Sequence, residues 1–240
     1  MPEFTELEWA IKPALEEWAD VISYDAPGAG KGSVTDSELA ELASNAKLRR
    51  TLTAERGLEE VSNRGWESCI VVADSSAVTT ACRLVSMKPG LIEALALGHA
   101  CLSLDSEGER APINEQVRSA MISLSGEDRE EFARHALTQL TGGSYDEDLA
   151  GRLVERVPMK LLTEAWLQGA DVSNRELLDG VDCPMLFVKH EGCLMYTDEG
   201  FEDAVAVFPK AETGAVPDKP SVSPDFAERL REFVQAHRAA

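Results

Sequence analysis

Acidic side chains outnumber basic ones 43 to 23 over 240 residues, leaving a net charge of −20. Such a field repels phosphate backbones, so it argues against nonspecific nucleic-acid binding and accounts for solubility instead. Hydrophobic residues at 44% suffice for one large α/β core or two small ones. No apolar run reaches the roughly 18 residues a membrane span needs, and the acidic, helix-like N-terminus lacks the pattern of a secretory signal.

Residues 3–18 place Phe4, Leu7, Ile11, Leu15 and Trp18 at helical spacing. Pro13 falls inside that pattern and predicts a kink near Trp9. Residues 20–24 read as a short strand running into a glycine-rich loop, Ala26-Pro27-Gly28-Ala29-Gly30-Lys31-Gly32-Ser33. Helix-start signals at Thr35-Asp36-Ser37-Glu38 open a helical segment through about Glu60. Cys69 to Val72 form an apolar run that ends abruptly in small residues, and helix-compatible residues follow from Ser76 to Leu84. That pattern predicts strand, tight turn and helix, with Ser75 at the apex. Leu91 to Leu102 reads as a further strand with its core at Ala94 to Leu97.

Residues 105–180 are charged, helical and punctuated by Gly142, Gly143 and Gly169, which predicts an inserted cap of several helices. Cys183 to Val188 returns to the composition of a buried strand, and Thr197 to Phe208 is helical. A short edge strand fits within 209–223, although Pro217 and Pro220 weaken it. Pro224 to His237 closes the chain as an amphipathic helix with Phe226, Leu230 and Phe233 on one face. Strands alternating with helices imply a mostly parallel sheet flanked by helices, an α/β fold. The expected division is a core over 1–104, the cap over 105–180 and the rest of the core over 181–240.

Five cysteines, Cys69, Cys82, Cys101, Cys183 and Cys193, show no C-x-x-C spacing. A scattered, odd set points to a reducing, cytoplasmic setting and away from a zinc site. Several lie in apolar runs, where cysteine behaves as a small hydrophobe.

Ala73-Asp74-Ser75-Ser76-Ala77 has the small-x-Ser-x-small form of a nucleophile elbow, in which small residues let strand and helix approach. The same five residues also suit an ordinary strand-to-helix turn with a capping serine. Taken with Asp20-Val21-Ile22-Ser23-Tyr24-Asp25-Ala26-Pro27-Gly28-Ala29-Gly30, the approach Arg175–Asp182 into Cys183-Pro184-Met185-Leu186-Phe187-Val188, and the Ser223-Pro224-Asp225-Phe226 start of the last helix, the chain resembles the α/β-hydrolase superfamily over nearly its whole length. The resemblance implies Ser75 as nucleophile and the backbone N–H of Ser76 as one oxyanion donor. The family's second donor comes from a loop after an earlier strand, just ahead of the helix with which this sequence begins, so the resemblance implies either that this donor is lost or that the true start lies upstream of Met1.

The remaining machinery departs from the family pattern. Cys193 stands about where the family's carboxylate belongs, with Glu191 as a nearby substitute. Residues 209–223, where the family's histidine should lie, contain none. His99 and His190 each end a predicted strand, one and two strands from Ser75, and are the candidate bases; both also suit a strand end with local hydrogen bonds. His135 falls in the cap and His237 at the tail.

A rival site is the loop 26–33, which looks like the phosphate loop of adenylate kinases. Its glycines would free backbone N–H groups toward a phosphate and Lys31 would reach the oxygens. Asp25 stands where that motif needs its first glycine, and the helix-start signals come late, at Thr35 and Asp36. The leading expectation is a small-molecule serine hydrolase with incomplete or rearranged machinery, needing no cofactor or metal. The alternative is a non-catalytic relative that binds a ligand or partner in the cleft under the cap.

Overall fold

Among the described residues, four parallel strands in the order β1-β2-β3-β4 form the sheet: β1 (Cys69–Asp74), β2 (Ile92–Gly98), β3 (Met185–His190) and β4 (Glu212–Val216). The computed structural model describes residues 11–30, 34–74, 77–98, 119–132, 135, 158, 161, 163, 173–191, 198–217 and 223–238. Helices α1 (Lys12–Glu16), α2 (Asp36–Ser44), α3 (Ala46–Asn63), α4 (Val78–Met87), α5 (Asn174–Leu177), α6 (Asp198–Ala206) and α7 (Pro224–Arg238) surround it. Residues 119–123 and 126–132, within the expected cap, are also helical.

Side chains of successive strand residues alternate between two cores, as a sheet covered on both faces requires. Leu95, Leu97, Met185 and Phe187 join one core with residues of α3 and α4. Ala94, Ala96, Leu186 and Val188 join the other with Leu15 of α1 and Phe226, Leu230 and Phe233 of α7. The centre of the sheet is sealed, since Leu95, Ala96, Leu97, Leu186, Phe187 and Val188 are all fully buried. β1 differs: Ile70, Val71 and Val72 are only half-buried.

Several expectations require correction. Residues 20–24 are irregular and pair with no strand. Their side chains nevertheless alternate, Ile22 packing toward the α3–α4 core and Val21 toward the α1–α7 core. The segment keeps a strand's side-chain pattern but is not one of the described strands. Pro13 lies in the first turn of α1 and opens that helix rather than kinking a longer one; its missing N–H is one that a first turn leaves unpaired anyway. Trp9 and the rest of the expected first helix lie outside the described residues.

The single helix expected from Thr35 to Glu60 is two helices. Asn45 stands outside helical geometry, and its Oδ1 accepts the Leu48 N–H at 2.9 Å, starting α3 afresh. The strand expected from Leu91 begins one residue later, because Pro89–Leu91 form a 3-10 turn; residues 99–102 lie outside the described set. β4 is the edge strand expected within 209–223, and it stops just before Pro217. The expected cap boundary near 105 lies outside the described residues.

Candidate functional site

β1 ends at Asp74 and α4 begins at Val78, with Ala77 already in right-handed helical geometry. Only positions 75 and 76 separate strand from helix, and both lie outside the described residues. The flanking Ala73 is 3% exposed, and Asp74 is buried too. α4 is buried from Val78 through Val85, against α3 on one side and α5 on the other. A turn this short between a buried strand end and a buried helix needs small side chains on both flanks, which Ala73 and Ala77 provide.

Sheet register sets the level of the neighbouring strand ends. Asp74 pairs with Gly98, Gly98 with Val188, and Val188 with Gly214. The described ends of β1 and β2, Asp74 and Gly98, therefore stand level with one another on adjacent strands. His99 itself lies outside the described residues. His190 ends β3, two strands from β1, with its backbone paired to Val216. Nothing is described of its side chain. Glu191 is exposed in the turn beyond, where its N–H donates to the Val216 carbonyl at 3.0 Å.

Of the other histidines, His135 is exposed on a helix. His237 lies near the end of α7, its Nε2 3.2 Å from Glu212 Oε1 and its ring edge-on to Phe233 at 4.7 Å. Glu212 is the first residue of β4, and the strands are parallel, so His237 sits at the opposite end of the sheet from Asp74, the last residue of β1. It cannot serve as a base there. That same end carries a second polar knot. Glu93 Oε2 accepts two hydrogen bonds from Arg238, at 2.9 and 3.1 Å, and Glu93 Oε1 accepts one from Ser68. The Ser68 bond, followed by those from Arg238, holds the Glu93 carboxyl below its ordinary value.

The glycine-rich loop does not form an open phosphate cradle over its described part. Among the described residues no strand precedes it, and Ala26 and Ala29 are buried. The Ala29 N–H is spent on the Ala26 carbonyl at 3.0 Å. Gly28 has φ +84° and packs against Leu161 and Leu39. The next helix, α2, starts only at Asp36, and its N-terminus is filled by its own capping box. Glu38 Oε2 accepts the Thr35 N–H at 2.7 Å while Thr35 Oγ1 accepts the Glu38 N–H at 3.3 Å. Residues 31–33, Lys31 included, lie outside the described residues.

Cys69, Cys82 and Cys183 are free thiols. Burial raises the pKa of each, most of all that of Cys82, which leaves them protonated and unreactive at neutral pH. No group of three or more metal-ligating side chains occurs among the described residues. No described helix is long and apolar enough to cross a membrane.

Sequence reasoning missed a cavity of about 560 Å³. It runs along the outer edge of β1, lined by consecutive residues 68–73 on one side and 18–24 on the other, and it reaches Ala73 and Ala77. The half-burial of Ile70, Val71 and Val72 is its direct consequence. Its one advance signal was the unusual Gly57 in the middle of α3. A Cβ there would collide with the Tyr24 hydroxyl and lie 2.9 Å from Leu84 Cδ1, so glycine lets Tyr24 lie close against the helix.

The chain superposes on known hydrolases over nearly its full length. An esterase from Thermogutta terrifontis matches with a TM-score of 0.71 at 16% identity, covering 98% of this chain and 86% of that one. A hydrolase from Oleispira antarctica gives a TM-score of 0.74 at 13% identity, covering 97% and 87%. An esterase from Rhodococcus sp. ECU1013 gives 0.69 at 16% identity, covering 95% and 86%. The fold is that of the α/β hydrolases. No protein-family model and no curated protein matches the sequence. The α/β-hydrolase fold therefore holds here at an identity where only architecture carries over, and each chemical group has to be argued from this chain's own residues.

Proposed function

We propose that this α/β-hydrolase-fold protein is a small-molecule serine hydrolase acting on an ester or similar acyl bond, with Ser75 as nucleophile. The observation that carries the reading is the two-residue passage from the buried end of β1 (Ala73, Asp74) into buried α4, bracketed by Ala73 and Ala77, both of which line a cavity. A serine in such a passage has few places to direct its hydroxyl except away from the sheet.

A serine hydroxyl needs a base to attack at neutral pH. The register of β1 and β2 favours His99 over His190, since His99 directly follows Gly98, the end of the strand adjacent to β1, and position 190 is two strands away. In this reading His99 takes the Ser75 proton as the hydroxyl oxygen attacks the acyl carbon. The backbone N–H of Ser76 donates to the developing oxyanion, and the proton passes to the leaving alcohol. Water then cleaves the acyl-serine by the reverse roles. Glu191 is the carboxylate that would orient His190 if that histidine serves instead.

A non-catalytic role, binding a ligand beside the sheet, is the second reading. It is favoured by the pairing of His237 with Glu212 at the far end of the sheet, which leaves the last helix without a base for Ser75. Hydrolysis of p-nitrophenyl acetate and butyrate separates the two. The enzyme reading expects wild-type turnover that Ser75→Ala abolishes and His99→Ala lowers by about 10²- to 10⁴-fold. Equal rates for wild type and Ser75→Ala favour the binding reading.

A further inference from the structure

We infer that the fold of this protein is conditional on salt: a screening atmosphere of monovalent cations at molar concentration completes the native state, which loosens when that atmosphere is diluted. The whole-chain ratio of 43 acidic to 23 basic residues understates the imbalance at the surface. The structure draws its bases inward. Arg49, Arg50 and Arg83 are buried, and Arg49 Nη1 donates to the Leu42 carbonyl at 2.8 Å. Lys189 is half-buried, 2.7 Å from Asp198 Oδ1 and over the Phe201 ring. Exposed acids consequently outnumber exposed bases roughly four to one among the described residues.

Spacing compounds the excess. In a helix, side chains four positions apart are neighbours at about 5–6 Å, and like charges there are destabilising. Glu55 and Glu59 stand so on α3, Asp198 and Glu202 on α6, Glu228 and Glu232 on α7, and Glu127 and Glu131 within helical residues 126–132. Each of these carboxylates is exposed. Attraction offsets only part of the repulsion. Asp198 has Lys189, Glu232 lies 3.6 Å from Arg229, and Lys12 faces Glu16 at 3.8 Å. Ion pairs with an exposed partner contribute little.

The screening length decides which set of forces wins. At about 0.1 M salt it is about 10 Å, longer than the separation of neighbouring carboxylates on a helix, and at about 1 M it is about 3 Å, shorter than that separation. Concentrated salt therefore silences repulsion even between adjacent acids. It also weakens the exposed attractions, such as Arg238 to Glu93 and Lys210 to Asp182. The excess of exposed acids makes repulsion the larger sum, and self-repulsion destabilises the compact state. Stability should climb with salt and level off once the screening length falls below the spacing of the acids. Salting-out has a different form, because it is stronger with sulfate than with chloride. None of this depends on the role of Ser75.

The test is thermal unfolding of the full chain, followed by far-ultraviolet dichroism, from about 50 mM to about 2 M salt. Tm should rise by about 5–10 °C, most of it below about 1 M, and equally in KCl and NaCl. Sodium sulfate matched to NaCl in ionic strength should give the same rise over that range. The variant Glu59→Lys/Glu131→Lys/Glu202→Lys turns three like-charged pairs into opposite ones, with the acid first, which is the better order. It should melt above wild type at about 50 mM salt. Three such reversals take six units from a net charge of −20, and self-repulsion scales with the square of that charge, so about half of the salt-induced rise should be lost. A wild-type Tm that stays flat or falls with KCl overturns the proposal. So does a rise that never levels and is larger in sulfate at equal ionic strength, which is salting-out. A rise confined to one of the two cations would mean a specific ion site and overturns it as well. An undiminished rise in the folded variant does the same; if the variant fails to fold, the wild-type titrations decide.

Discussion

Val71 and Leu95 are register partners on adjacent strands and face the same core, yet the cavity beside β1 makes them energetically unequal. Leu95 is fully buried. Its truncation in Leu95→Ala removes buried methyl and methylene groups and leaves a void between close-packed helices, at a cost of about 2–5 kcal/mol. Val71→Ala deletes two methyl groups, worth about 1.6 kcal/mol if fully buried. Val71 is half-buried, which brings the loss to about 0.8 kcal/mol, and its vacated space joins an existing cavity rather than creating one. Urea unfolding followed by far-ultraviolet dichroism measures both differences, with the slope checked for constancy. In thermal unfolding, Val71→Ala should lower Tm by only about 2–3 °C and Leu95→Ala by several times as much. A Val71→Ala cost equal to that of Leu95→Ala would refute the reasoning, because β1 would then be packed on both edges.

Glu93→Gln tests the polar knot at the far end of the sheet. The folded carboxyl titrates below its ordinary value of 4.5, so its contribution is present above that pH and is lost as pH falls through the folded value. The fall in Tm between about pH 5 and pH 3 should therefore be shallower in Glu93→Gln than in wild type, and parallel curves would contradict the assignment. Thr35→Ala removes the cap that closes α2 and should cost about 1 kcal/mol in urea unfolding; no loss would mean that Glu38 alone holds that terminus. Cys82 should resist a disulfide-exchange reagent until the protein unfolds, as mapped by mass spectrometry, since it is fully buried with a raised pKa.

Much of the architecture was legible because apolar periodicity and helix signals agree locally. Cys183 to Val188 and Pro224 to His237 read directly as a strand and a helix, and the structure has β3 and α7 there. Residues 20–24 misled because alternation reports which faces a segment presents, not whether a neighbour supplies hydrogen bonds. Asn45 was overlooked because a helix can be broken by one capping side chain without any glycine or proline. The site was legible only in part. The small-x-Ser-x-small pattern pointed to the strand-to-helix passage at 74–77, whose described ends agree with it. Gly57 apart, little in the sequence announced the cavity, which lies between two segments more than forty residues apart. His237 was set aside for its position at the tail; its actual tie to Glu212 depends on where β4 begins, which composition around Pro217 obscured.

The central claim, that Ser75 is presented as a nucleophile, is met most directly by a fluorophosphonate probe read by mass spectrometry. Covalent labelling of the wild-type protein at Ser75, absent from Ser75→Ala, is the predicted result. An unlabelled wild type, or equal labelling of Ser75→Ala, would contradict it.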